Sequence, residues 1–273
     1  MKRVNLIYNP KSGQVWRNFK PEIVKEYLEN KGLIVDISST SCPNDATRLA
    51  RLASQNNYDV VIAAGGDGTI NEVVQGLAGT KTILAILPVG TTNVLARELN
   101  IPLNFEKALE IIPNGEVISI DLGIINNRYF VLMAGIGFDA KLVKEVDSNL
   151  KKYTGILAFA ATSPYSMFRH KKSKMIINIW DNNGKRKKIK INSYQVLITN
   201  APTYAIGLKV SHTAKYNDGL LDLDIFTSER IFDFAWKLIS IAFITKKAST
   251  DIRKSYQFKK MTIKTESSNA NTS

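Results

Sequence analysis

A second cysteine is missing from this chain. Cys42 stands alone among 273 residues, which excludes an intrachain disulfide and a thiolate zinc site and fits a reducing compartment, with the cytosol as the default. Histidine is almost as scarce. His170 lies among Arg169, Lys171 and Lys172, and His212 precedes Thr213, so neither has a ligand partner at helical or strand spacing. A Gly-x-Ser-x-Gly elbow is also absent, which leaves a Ser-His-Asp hydrolase without support. No stretch reaches the roughly 20 apolar residues that span a bilayer, and Met1-Lys-Arg-Val-Asn-Leu-Ile-Tyr8 enters a strand-like run without the apolar core of a signal peptide. Membrane contact is therefore expected to be peripheral. Acid is in deficit too: 24 Asp and Glu face 37 Lys and Arg, a formal net charge of +13. Such an excess points to an anionic partner, whether nucleic acid, a phosphorylated ligand or acidic lipid.

The hydrophobic share of 44% is enough for one large domain or two ordinary ones. Up to about Asp121, short apolar runs alternate with helix-like segments: Arg3–Tyr8, Trp16–Lys31, Leu33–Ser38, Asn44–Asn56, Asp59–Ala64, Thr69–Leu77, Ile83–Leu87 and Asn93–Leu99. That alternation predicts βαβ units, a parallel sheet covered by helices, and ligands beyond the carboxyl ends of the strands. After Ile118-Ser-Ile-Asp-Leu-Gly123 strand-like runs take over, at Tyr129–Ala134, Lys174–Trp180, Lys188–Asn192, Gln195–Thr199, Leu221–Phe226 and Lys260–Thr265. Helices are expected near Asp139–Asn149 and Glu229–Thr245. The division expected is an α/β domain over residues 1–121 and a mainly antiparallel β-rich domain over 122–273. Asp181-Asn-Asn-Gly184 reads as a hairpin with a type I′ turn.

Three polar turns fall at strand ends: Asn9-Pro-Lys-Ser-Gly13, Gly65-Gly-Asp-Gly-Thr69 and Pro88-Val-Gly-Thr-Thr-Asn93. The second is the most informative. Val60–Ala64 has the continuous apolar character of a strand buried on both faces, and the glycines after it allow angles closed to other residues and a close approach to the main chain. Thr69 is placed to cap the helix that follows, whose N-terminus would face a phosphate. Asp67 should repel such a ligand unless a divalent cation intervenes or a proton has to be removed, which favours phosphoryl transfer. Alone, the first and third turns read as ordinary turns or helix caps. Together with the second they converge on one rim.

These turns, with Gly135-Ile-Gly-Phe-Asp139 and Asp218-Gly-Leu-Leu-Asp222, resemble the diacylglycerol kinase and sphingosine kinase superfamily, nearest its bacterial soluble branch, over residues 1 to 265. The resemblance implies an ATP-binding domain related to phosphofructokinase and NAD kinase, joined to a β-sandwich lipid domain. By it, Asn9, Pro10, Lys11, Ser12, Gly13, Thr40, Gly65, Gly66, Asp67, Gly68, Thr69, Ile70, Asn71 and Thr91 hold ATP, and Asp67 acts in catalysis through magnesium or as proton acceptor. It also implies a magnesium ion on the Asp218 side chain and the backbone oxygens of Lys215 and Leu220, although Asp218 equally reads as a turn residue. Asp139 is either a lipid-hydroxyl contact or a helix cap.

The expected reaction is transfer of a phosphoryl group to a membrane lipid, diacylglycerol first. An NAD kinase-like enzyme and a non-catalytic nucleotide or lipid sensor remain as alternatives. The basic runs Arg169–Lys174 and Lys185–Lys190, with Lys246, Lys247, Arg253, Lys254, Lys259 and Lys260, read either as solvated surface or as a dock for anionic headgroups at the inner face of the membrane. Nucleic-acid binding explains the charge but not the turns, and a homodimer is left open. Ile231–Thr245 reads as a core helix before a membrane-inserting one. Bacterial members follow the strand equivalent to Met261–Thr265 with Asp-Gly-Glu, whose Glu is the proposed base on the lipid hydroxyl. Here Glu266-Ser-Ser-Asn-Ala-Asn-Thr-Ser273 stands instead. Truncation, Asp67 as base, and impaired catalysis are the three readings of that difference.

Overall fold

The structure, a computed structural model, describes residues 2–10, 19–137, 172–193, 195–203, 211, 213–226 and 253–266. They fall into two compact units, the first within Met1–Val131 and the second from Leu132 onward.

In the first unit β1 (Arg3–Tyr8), β2 (Ile34–Ser39), β3 (Val60–Gly65) and β4 (Ile83–Pro88) form a parallel sheet in the order β2-β1-β3-β4. β3 is buried at every position, as its unbroken apolar run requires. Side chains alternate across the sheet. Val4, Leu6, Val60, Ile62 and Ala64 pack against Val24 and Leu28 of α1 (Pro21–Glu29) and Ala108 and Leu109 of α5 (Phe105–Asn114). Ile7, Val61 and Ala63 turn to the other side, where α2 (Asp45–Gln55) and α3 (Asp67–Leu77) bury Ala50, Ala53, Ile70 and Val73. Each fully buried Val or Ile contributes about 1.5–3 kcal/mol, so these two layers fix the register of the strand ends.

The chain leaves β1 toward β2 on one side and returns to β3 on the other, which opens a crevice beyond the carboxyl ends of β1 and β3. A short α4 (Val94–Glu98) follows β4. α5 was not anticipated from sequence, because Pro102, Pro113 and Gly115 break up its apolar spacing; Asn104 starts it by accepting the Lys107 amide at 2.9 Å. The apolar run Tyr129–Ala134 is divided rather than continuous. Its first residues belong to the hairpin β5 (Gly123–Ile125) and β6 (Arg128–Phe130), and β7 (Met133–Gly137) starts the second unit.

The second unit has two antiparallel sheets. β7, β10 (Gln195–Thr199), β11 (Leu221–Phe226) and β12 (Arg253–Phe258) are ordered β12-β11-β10-β7, while β8 (Ser173–Trp180), β9 (Arg186–Ser193) and β13 (Lys260–Glu266) are ordered β13-β8-β9. Met175, Ile177 and Ile179 of one sheet and Val196, Ile198, Leu223 and Ile225 of the other are buried. The Lys187 ammonium lies 4.2 Å from the centre of the Tyr256 ring and joins the two inner faces. The β8–β9 connection is not the two-residue turn expected. Only Gly184 is left-handed (φ 75), and the Gly184 amide donates to the Asp181 carbonyl at 3.1 Å. The Asp181 carboxylate accepts the Asn183 and Lys185 amides at 2.9 Å each, which selects this wider loop. The paired left-handed residues of a type I′ turn occur instead at Asn126 and Asn127, between β5 and β6.

The segments near Asp139–Asn149 and Glu229–Thr245 lie outside the described residues. Among the described residues no helix is long and apolar enough to cross a membrane.

α2 and α3 touch through Gly76. A Cβ there would sit 2.5 Å from the Thr47 carbonyl oxygen and 2.8 Å from the Ala50 Cβ. Alanine gains about 1 kcal/mol of helix propensity, whereas overpacking costs about 1–3 kcal/mol. Gly76→Ala should therefore lower the free energy of unfolding in a urea titration. An increase would contradict the close packing of these helices.

Candidate active site

The site assembles where four strand ends meet. β1 ends at Tyr8, and the Asn9 amide donates to the Ala64 carbonyl of β3 at 3.3 Å. β2 ends at Ser39, and the Thr40 amide donates to the Tyr8 carbonyl at 2.9 Å. A cleft of about 450 Å³ opens here, lined by Asn9, Thr40, Ser41, Pro43, Gly66, Gly68, Thr69 and Glu72 among others.

The β3–α3 turn works differently from the sequence expectation. α3 begins at Asp67, with Gly66 at the cap position and no side-chain cap, so Thr69 sits buried inside the first turn instead of capping it. Gly65, Gly66 and Gly68 are absent from the left-handed residues, so their backbone angles do not require glycine. A Cβ on Gly65 would lie 2.5 Å from the Thr69 Cβ, and one on Gly90 would collide with the Gly66 Cα. At Gly68 a Cβ would meet nothing within 4 Å. Bare backbone at the N-terminus of an eleven-residue helix thus faces the cleft.

Asp67 joins the second turn to the third. Its carboxylate accepts the Thr92 hydroxyl at 3.0 Å and the Leu95 amide at 3.3 Å, so it caps α4 from across the site. Asn93, at the cap position of α4, makes no cap bond itself. It is buried and left-handed (φ 47); its side-chain amide donates to the Pro88 and Gly90 carbonyls at 3.3 and 2.8 Å, and its side-chain oxygen accepts the Gly90 amide at 3.0 Å. The third turn is thereby tied to itself by Asn93 and to the second by Asp67.

Of the sequence-predicted site residues, Asn9, Thr40, Gly66, Gly68 and Thr69 line the cleft. Gly65 lies at the end of β3, Ile70 is in the core, Asn71 is half-buried, and Pro10 and Thr91 are exposed. Lys11, Ser12, Gly13 and Asp139 lie outside the described residues. Lys215 and Asp218 are exposed in the loop before β11, and Leu220 is half-buried there; the Leu220 amide donates to Asp218 Oδ1 at 3.0 Å. Among the described residues no group of three His, Cys, Asp or Glu could hold a metal. The donors at this loop are one carboxylate and main-chain carbonyls, a set that fits a hard, largely hydrated cation.

Sequence reasoning missed one wall of the cleft. Ser41, Cys42 and Pro43 form it, and the signal was available, since Thr40–Asn44 follows a strand end as the other turns do. Asp45 holds that wall. Its carboxylate accepts the Ser41 hydroxyl at 2.7 Å and the Ser41 amide at 2.9 Å, and Arg48 donates to it at 2.8 and 3.0 Å. The Ser41 bonds, with help from Arg48, hold the Asp45 carboxyl well below the usual carboxylate range.

A family model for the diacylglycerol kinase catalytic domain matches residues 3–125. The chain is 35% identical over 240 residues to the diacylglycerol kinase of Bacillus subtilis (strain 168), covering 86% of this chain and 77% of that one. It is 41% identical over 162 residues to a diacylglycerol kinase of Staphylococcus aureus (strain MRSA252), covering 58% of this chain and 51% of that one. It therefore matches about half the length of that staphylococcal relative. A crystal structure of a diacylglycerol kinase from Bacillus anthracis str. Sterne superposes with a TM-score of 0.72 at 24% identity, over 97% of this chain and 87% of that one, which shows the fold. A further crystal structure from the same organism reaches 0.78 at 25% identity, over 97% of this chain and 85% of that one.

The lowered Asp45 pKa has a definite sign. A carboxyl more acidic in the folded than in the unfolded chain contributes stability above its ordinary value of 3.8 and loses it as pH falls below. Asp45→Asn should thus be less stable than wild type at neutral pH, with a shallower loss on acidification below about pH 4. Thermal melts across that range check this, and parallel acid profiles would refute it.

Proposed function

The chain belongs to the diacylglycerol kinase family, a family of lipid kinases, and from that premise we propose that it transfers the γ-phosphate of ATP to the free hydroxyl of diacylglycerol, giving phosphatidic acid. One observation carries the reading: the uncapped start of α3 opens on a cleft lined by the residues that follow β1, β2 and β3, and Asp67 at that helix start is held by the turn after β4. Anionic phosphate suits that helix end, where backbone amides and the helix dipole act together.

ATP takes the cleft, with Asn9, Thr40, Gly66, Gly68 and Thr69 as its contacts. The lipid oxygen attacks the γ-phosphorus in line, its bond to phosphorus forms as the bond to the β–γ bridging oxygen breaks, and ADP leaves. The hydroxyl proton passes to the Asp67 carboxylate, which is held by Thr92 and the Leu95 amide and needs no further reorganisation. Asp218 with the Lys215 and Leu220 carbonyls would hold magnesium, which when bound supplies neutralising charge. The enzyme works at the inner membrane surface, where its water-insoluble substrate resides.

Purified protein incubated with labelled ATP, magnesium and diacylglycerol in anionic vesicles should yield labelled phosphatidic acid. Asp67→Asn keeps an acceptor for the Leu95 amide and removes the charge, so turnover should fall about 10²–10⁴-fold while ATP affinity stays nearly constant. Undiminished turnover in that variant would remove Asp67 from the chemistry, and no labelled lipid from wild type would overturn the reading.

A further inference from the structure

The β13-β8-β9 sheet has one buried and one outward face. Met175, Ile177 and Ile179 point inward and are buried, so the alternate residues of β8 and their neighbours make the outward face. The register sets them in rows: Arg186, Trp180 and Lys260; Lys188, Asn178 and Thr262; Lys190, Ile176 and Lys264; and Asn192, Lys174 and Glu266. Six cations, Lys174, Arg186, Lys188, Lys190, Lys260 and Lys264, therefore share one plane, and all six are exposed. Glu266 is the one acid in those rows, at their far end.

The charge is arranged rather than accumulated. Like charges directly opposite each other destabilise a strand pair, and here no two cations are paired; Arg186, Lys188, Lys190, Lys260 and Lys264 each face an uncharged β8 residue. Arg186 is braced by two bonds to Asn178 Oδ1 at 2.7 and 3.2 Å, and Asn178 donates onward to the Thr262 hydroxyl at 3.2 Å. Trp180 is half-buried between the two edge cations, with Arg186 at 5.6 Å and Lys260 at 5.7 Å from its ring centre. A ring with an apolar body and a polar N–H, flanked by lysine and arginine, suits the boundary between headgroups and acyl chains.

We propose that this face is a docking surface for an anionic lipid bilayer, with Trp180 at headgroup level. A flat, two-dimensional array of cations matches a plane of lipid phosphates. A single nucleic-acid strand calls for a groove with a series of stacking aromatics, and Trp180 is the one aromatic in these rows. The proposal deepens the lipid-kinase reading by naming the surface that meets the substrate-bearing membrane, and it is measured separately from turnover.

The full chain is sedimented with phosphatidylglycerol vesicles and with phosphatidylcholine vesicles. It should partition to the first only, and salt near 1 M, where the Debye length is about 3 Å, should release it. Lys188→Gln, Lys190→Gln and Lys264→Gln combined should weaken partitioning by about fivefold per lysine, on the order of one hundredfold together. Their melting temperature and their turnover of diacylglycerol in neutral detergent micelles should not change. Vesicle addition should blue-shift the tryptophan emission, and Trp180→Phe should diminish that shift. Equal binding to both vesicle types, unchanged partitioning of the triple variant, or capture by a single-stranded oligonucleotide that anionic vesicles fail to displace would each overturn the proposal. Wild-type partitioning that the triple variant loses, without lipid phosphorylation, would support the docking surface while refuting the kinase reading.

Discussion

The Asp67 carboxylate is the constraint on which the first unit's rim depends. It belongs to the first turn of α3, yet it accepts from Thr92 and Leu95, residues 25 and 28 positions further along the chain. Without it α4 would begin with an uncapped amide and the 88–95 turn would be tied only to itself through Asn93. The glycines serve the same contact. Gly66 and Gly90 approach so closely that a side chain on Gly90 would force the turns apart. An acid that sequence logic places against a phosphate is thus also a structural clamp, and the two roles are compatible because a clamped carboxylate is already oriented.

The chain separates its electrostatic tasks between its two units. In the first, backbone amides at a helix start face a cleft, and the dipole of that helix end suits phosphate. In the second, six cations lie on one sheet face, spaced by strand register so that they avoid one another. A formal charge of +13 is informative only once that placement is known.

Much of this was legible in the sequence where physics is local. The buried run Val60–Ala64 and its glycine turn gave a parallel strand and the start of a helix, and β10 and β11 have the bounds that their apolar runs suggested. What was not legible depends on distant partners. The clamp made by Asp67 requires knowing that two turns meet, and the cleft wall at Ser41–Pro43 follows from Asp45 binding Ser41 and Arg48. Turn chemistry misled at Asp181–Gly184, where a carboxylate accepting two amides overrode the Asn-Gly signal, while Asn126-Asn127 took up the type I′ geometry. The role given to Gly65 in the β3–α3 turn also changed, from backbone freedom to close packing against Thr69.

The central claim, that the start of α3 and the turn clamped by Asp67 form one phosphate-binding rim, is tested most directly by amide chemical shifts during titration with ATP and magnesium. The account predicts saturable shifts at Gly66, Gly68, Thr69 and Leu95, with Gly32 and Gly184 unmoved. Saturation elsewhere in the chain while those four amides stay in place would contradict it.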